Sequence, residues 1–231
     1  MPTFRHGKLT YFGLGTSNAE ATETNLSNYL TDVQFPRPVD VAETSTFGQA
    51  GGSKTYVVGY SSAQFSFTGR YDETIDGYLS ALLGSEKPVG FGYGPGGAQA
   101  ARRKYLGICF VTSYDVQGGV GDMVGISLQA QVTGGIGTTV FPTGSTSSVP
   151  TLTSTTLSTT INDLATLNGE AADDVVLASA TGLSASGAVL IQTDSNGAAV
   201  ISYTSISTST LKNCTLLAGS GKATSGVAVK Q

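Results

Sequence analysis

The sequence has no tryptophan, one histidine, two cysteines, and charged side chains at only 12% of its 231 positions. Each shortage closes off a class of function. With His6 as the single imidazole, no Ser-His-Asp or Cys-His arrangement is expected, and a histidine-based metal site within one chain is excluded. Cys109 and Cys214 lie far apart in regions of different character, so two free thiols are expected, which fits synthesis in a reducing cytoplasm. A formal net charge of −4 gives no basic footprint for tight nucleic-acid binding. It is also too mild for an acidic, solvating disordered chain. No run approaches the roughly 18 apolar residues that cross a bilayer, so no membrane insertion is expected. The opening MPTFRHGKLTYFG has neither an apolar h-region nor a small-residue cleavage site, so no secretory signal is expected.

What is abundant is glycine, serine and threonine, which favours a β-rich chain with many turns. Mean hydropathy near zero with so few charges leaves much of the surface neutral, as in proteins whose outside ends up against other subunits. Composition also divides the chain. Of nineteen aromatic residues only Tyr203 lies beyond Phe141, and all seven prolines fall by Pro150. The stretch 142-PTGSTSSVPTLTSTT-156 reads as a linker. The expected organisation is an aromatic-rich domain over 1–145, a linker over 146–155 and a small β module over 156–231.

The first part alternates in the β manner. In 63-AQFSFTGRY-71, Phe65 and Phe67 point one way and Gln64, Ser66 and Thr68 the other. In 123-MVGISLQAQVTG-134, Val124, Ile126, Leu128, Ala130 and Val132 share a face. The run 105-YLGICFVTSYDV-116 is apolar on both faces, so both sides are expected to be covered. One segment breaks the pattern: Ile75, Tyr78, Leu79 and Leu82 recur at helical spacing near 73–83. Asp72 or Thr74 can cap the start of that helix, and Gly84 can end it. The fold class is therefore mostly β: a β-sandwich or barrel with one amphipathic helix, followed by a small all-β module. In that module Asn196-Gly197 marks a hairpin, and an Ig-like sandwich is one candidate.

Chemical motifs are weak throughout. Gly92, Gly94 and Gly97 match G-x-G-x-x-G, but a dinucleotide fingerprint needs a long helix after the glycines. Here a short segment leads straight into the strand from Tyr105, so we read a hairpin with a glycine-rich tip. Arg102, Arg103 and Lys104 then form a local basic patch at a strand start or subunit contact. The fragment 219-GSGKA-223 lacks the first glycine and final hydroxyl of a phosphate loop. The turn at 194-DSNG-197 has Ser205 where a calcium loop needs glutamate. No cofactor and no metal are expected. Catalysis would need Asp72, Glu73 and Asp115 to converge in a cleft, and no enzyme is expected.

A resemblance adds to this. The opening 25-NLSNYLTDVQFPRPVDVAETSTFG-48, then KTYVVGY, then the single helix DGYLSALLG, then the FGYGPGG hairpin and the closing LQAQVTGG, together resemble the major tail protein of long-tailed bacteriophages. They cover roughly Asn25 to Gly137, and their order and spacing carry more than any one motif. The resemblance implies a tail-tube subunit: a β-sandwich with one helix forming rings, usually hexameric, that stack into a hollow cylinder through which double-stranded DNA passes without specific binding. It also implies tape-measure, tail-terminator and distal tail proteins as partners, a place in the virion tail after assembly in the host cytoplasm, and a variable module on the tube exterior. The glycine-rich connection 43-ETSTFGQAGGSKTYV-57 becomes a loop that orders against a neighbouring subunit or ring. Its expected contact residues are Glu43, Phe47 and Lys54, with Asp40 just before it and Arg102 and Arg103 as a further candidate contact. The rival reading is a decoration protein or adhesin that binds capsid or cell-surface glycan through its C-terminal module.

Overall fold

A computed structural model describes residues 7–15, 23–45, 54–145, 153–194 and 197–231. Among the described residues, nine strands and one α-helix carry the first part. β1 (Tyr11–Gly15), β2 (Glu23–Asn25), β3 (Leu30–Gln34), β4 (Val39–Glu43), β5 (Tyr56–Ser61) and β6 (Gln64–Arg70) precede α1 (Glu73–Ser80). β7 (Val89–Gly94), β8 (Arg103–Gln117) and β9 (Gly125–Val140) follow it, and β10 (Ser154–Thr156) opens the second part. Seven of these form one sheet in the order β2-β1-β7-β8-β9-β6-β3, with β2 and β3 as its open edges.

The sheet curls because its aromatic residues gather on one face. β1 and β6 are separated by three strands, yet the Phe12 and Phe65 rings meet edge-on with centroids 5.0 Å apart. Phe67, Phe91, Cys109, Leu128 and Ala130 fill the same core. α1 closes it with Ile75 and Leu79, and Leu82 joins from the turn beyond. Asp72 is the N-cap: its carboxylate accepts from the Thr74 and Ile75 amides at 3.0 and 3.4 Å. The helix stops at Ser80, sooner than the sequence suggests, because residues 81–84 tighten into turns that still bury Leu82.

The second part adds β11 (Val175–Val176), β12 (Gly187–Gln192), β13 (Ala198–Tyr203), β14 (Ser205–Ser207), β15 (Thr210–Lys212), β16 (Thr215–Ala218) and β17 (Ala228–Lys230). β10-β17-β12-β13-β16 form one sheet and β11-β15-β14 another, around a core that includes Leu157, Leu164, Val189, Ile201 and Val229. β10 begins inside the stretch read as a linker, of which 146–152 lie outside the described residues. Asn196 of the expected hairpin turn also lies outside them. Both cysteines are free and buried.

The two parts share a third cluster. Leu106 and Ile108 on the second face of β8 pack with Ala188, Leu190, Ala198, Val200 and Ala218. That face of the large sheet is lined with glycine where the smaller sheet approaches. A Cβ at Gly137 would lie 2.5 Å from that of Ala188, and one at Gly90 would lie 3.1 Å from Leu190 Cδ1. Gln231 joins the two parts with a polar contact, its Nε2 donating to Thr139 Oγ1 at 2.6 Å.

Two sequence readings change here. The stretch before Asn25, which by its sequence reads as polar and irregular, contains β1: all five of its residues are buried, and it lies between β2 and β7. Lys104 is not part of an exposed basic patch. Strand alternation turns it inward next to the exposed Arg103, where its Nζ lies 2.9 Å from Glu23 Oε2. The glycine motif has a structural use as well. Gly92 and Gly94 sit within β7, and a Cβ at Gly92 would lie 2.5 Å from the Glu23 carboxylate.

Candidate self-association surface

β4 and β5 belong to neither large sheet. Among the described residues they pair only with each other, as a two-stranded antiparallel ribbon in which every residue is exposed. The register sets Val41 against Val58, Ala42 against Val57 and Glu43 against Tyr56, with a bulge between Val39 and Val41. Alternation therefore places Val41, Glu43, Tyr56 and Val58 on one side and Ala42 and Val57 on the other. Tyr60 is 90% exposed.

Such a ribbon is out of place in water. An isolated two-stranded hairpin is marginally stable, and valines and tyrosines on an exposed strand contribute hydrophobic stabilisation only once something covers them. Local polar contacts keep it paired. The Thr44 amide donates to the Thr55 carbonyl at 2.8 Å, and the Thr55 amide donates to Ser45 Oγ at 3.0 Å. At the base, the Ser62 and Gln64 amides donate to the Pro38 and Pro36 carbonyls at 3.0 and 3.2 Å, fixing the ribbon to the start of β6.

The expected contact residues divide. Asp40 lies exposed at the bulge. Glu43 and Lys54 form an ion pair across the ribbon's distal end, Nζ to Oε2 2.9 Å. Both side chains are well exposed, so the pair contributes no more than about 1 kcal/mol. Phe47 lies outside the described residues. Arg102 and Arg103 are not part of the ribbon. Arg102 Nη1 donates to the Gly96 carbonyl within the β7–β8 connection, and Arg103 is exposed at the first position of β8. Sequence reading missed the apolar side chains: Val41, Val57, Val58 and Tyr60 are the exposed bulk of this surface. The alternative catalytic carboxylates do other work or stay on the surface. Asp72 caps α1, while Glu73 and Asp115 are exposed.

Among solved structures, the tail of an empty gene transfer agent particle, refined with C6 symmetry, is similar at a TM-score of 0.50 and 15% identity. That match covers 58% of this chain and 97% of the other. The SPP1 tail tube matches over 56% of this chain and 76% of its own, with 15% identity and a TM-score of 0.38. SPP1 Dit matches over 95% and 98%, with 10% identity and a TM-score of 0.36. No protein-family model matches the sequence. No curated protein matches it either. Over the 58% of the chain that the gene transfer agent match covers, the fold is thus that of a phage-type tail protein, and among the described residues a large curled β-sheet carries one α-helix.

Proposed function

We propose that this chain is a structural virion protein, the repeating subunit of a bacteriophage tail tube. Copies associate into rings, hexameric by analogy with the six-fold tail it is similar to, and the rings stack into a hollow cylinder that conducts double-stranded DNA. The observation that carries this reading is the β4–β5 ribbon, an exposed apolar arm with no partner strand or core in its own chain among the described residues. Heterologous contacts of this kind close into rings or propagate as tubes. The neutral to mildly acidic composition suits a conduit: a basic lining would bind phosphates and stall transit. The role is non-catalytic. Its partners are further copies of itself and the tape-measure, terminator and distal tail proteins, and its place is the virion tail after assembly in the host cytoplasm. The second part of the chain sits on the tube exterior.

Electron microscopy of the purified chain over a concentration series tests this. Hollow cylinders of uniform width with a regular axial repeat are expected. Discrete particles at every concentration, together with binding to purified capsids or cell-wall glycan, would replace the tube with the decoration or adhesin reading.

A further inference from the structure

The exposed large hydrophobic residues are not scattered. Among the described residues six lie on the ribbon, none lie beyond Val124, and all but Leu83 of the remainder gather at one place. That place is the turn joining β8 to β9: Val116, fully exposed Val120, Met123 and Val124, with Tyr71 alongside. Tyr71 is held there because its amide donates to the Val124 carbonyl at 3.1 Å. The turn is well formed. The Asp122 amide donates to the Gly119 carbonyl at 3.2 Å, and Gly121 has φ +93°, a conformation side chains resist.

The two patches lie at opposite ends of one strand. β6 begins beside the ribbon's base, one short connection after Ser61, and ends at Arg70, which pairs with Gly125 beside the β8–β9 turn. Seven residues of strand separate them by roughly 23 Å at about 3.3 Å per residue. A copy with two different apolar patches at the two ends of one strand can associate head to tail, each patch meeting the unlike patch of the next copy. The eleven side chains together expose on the order of 1,000 Å², the area that a specific contact needs to clear.

Resting on the tube reading above, we infer that the β8–β9 turn is the second self-association surface, and that its occupant is the β4–β5 ribbon of another copy of this chain. The contact is apolar: Tyr60 and Val58 of one copy against Val120 and Met123 of the next. Exposed glycines at 118, 119 and 121 keep the turn narrow and leave the valine and methionine side chains unobstructed.

Two full-length single-cysteine additions, Tyr60→Cys and Val120→Cys, test the pairing with a flexible bis-maleimide. Both native thiols are buried, so the new ones react first. The expected result is a covalent dimer in the equimolar mixture and little or none from either variant alone. Dimers formed by each variant alone would mean like-with-like pairing and would overturn the inference. Wild-type cylinders with no cross-link in the mixture would overturn the pairing and leave the tube reading intact. A wild-type chain that never polymerises, with no cross-link, would overturn both. As a second measure, Val120→Asp combined with Met123→Asp should abolish polymerisation with the unfolding midpoint unchanged. Normal cylinders from that variant would also overturn the inference.

Discussion

Lys104 Nζ lies 2.9 Å from Glu23 Oε2, with side-chain exposures of 1% and 2%. The Tyr11 hydroxyl donates to the same carboxylate oxygen at 2.8 Å, and the ammonium lies 5.6 Å from the centroids of both the Tyr11 and Phe141 rings. Two desolvated charges, one hydroxyl and two ring faces thus stabilise one another where β2 joins the sheet. Glu23 Oε1 and Lys104 Nζ satisfy no hydrogen-bond geometry of their own, so the ion pair and the rings carry the compensation.

Removing one charge strands the other. Lys104→Met alone is expected to lower the unfolding free energy by about 3–5 kcal/mol. Glu23→Gln combined with Lys104→Met should restore most of the loss, because the amide still accepts from Tyr11. Denaturant unfolding of the single and double variants measures this, and a double variant as unstable as the single one refutes it.

The glycine-lined groove gives a second expectation. Gly137→Ala pushes a methyl to 2.5 Å from Ala188 Cβ and 3.0 Å from Val200 Cγ1, both in a packed β-sheet. Overpacking of this size costs about 1–3 kcal/mol. Adding Ala188→Gly removes the nearest obstruction and should recover part of it. Thermal unfolding of the pair separates this clash from a general loss of glycine flexibility, which the second substitution would not repair.

Alkaline pH should weaken the fold through the buried thiols. Burial pushes the Cys214 thiol from 9.0 up to about 12, and pushes Cys109 up as well. A thiol that stays protonated when folded but ionises when unfolded gives stability that is fully present below pH 9. That stability falls as pH rises from there towards 12. Cys214→Ala removes one such group, so the stability gap between wild type and this variant should narrow by about 2 kcal/mol between pH 8 and 10.5. A gap that stays constant would show that Cys214 does not titrate differently on unfolding.

The ribbon predicts a separation of assembly from folding. Val58→Ser and Tyr60→Ser alter side chains exposed in the single chain, so unfolding should shift by no more than about 0.5 kcal/mol. Cylinder length under the electron microscope should fall sharply in the same preparations. Lys54→Ala, which breaks only a solvent-exposed ion pair, should change stability by less than about 1 kcal/mol.

Much of this architecture is legible in the residues, and the illegible part has a physical reason. The run from Tyr105 to Val116 is apolar on both faces because β8 lies between two hydrophobic clusters, one holding Cys109 and Val111 and the other Leu106 and Ile108. The helix shows through its spacing and its aspartate cap. β1 does not show, since five residues interrupted by Gly13 and buried on both faces have no alternation to detect. Lys104 was readable from its neighbours: Leu106 and Ile108 share its face, so an even-numbered lysine at that strand's start points inward too. The ribbon's exposure leaves no trace in the sequence. Valine and tyrosine at alternating positions look the same whether their cover comes from the same chain or from another.

The groove that receives the second part also bears on how such a chain changes over generations. Gly90 and Gly137 have no side chains with which to close the gap, and Leu106 and Ile108 depend on what lies above them. A lineage that exchanged residues 153–231 for an unrelated insert would inherit a bare, sticky trough unless those glycines were replaced in the same step. The second part is therefore not a detachable cassette: the two packed faces are obliged to mutate as a pair.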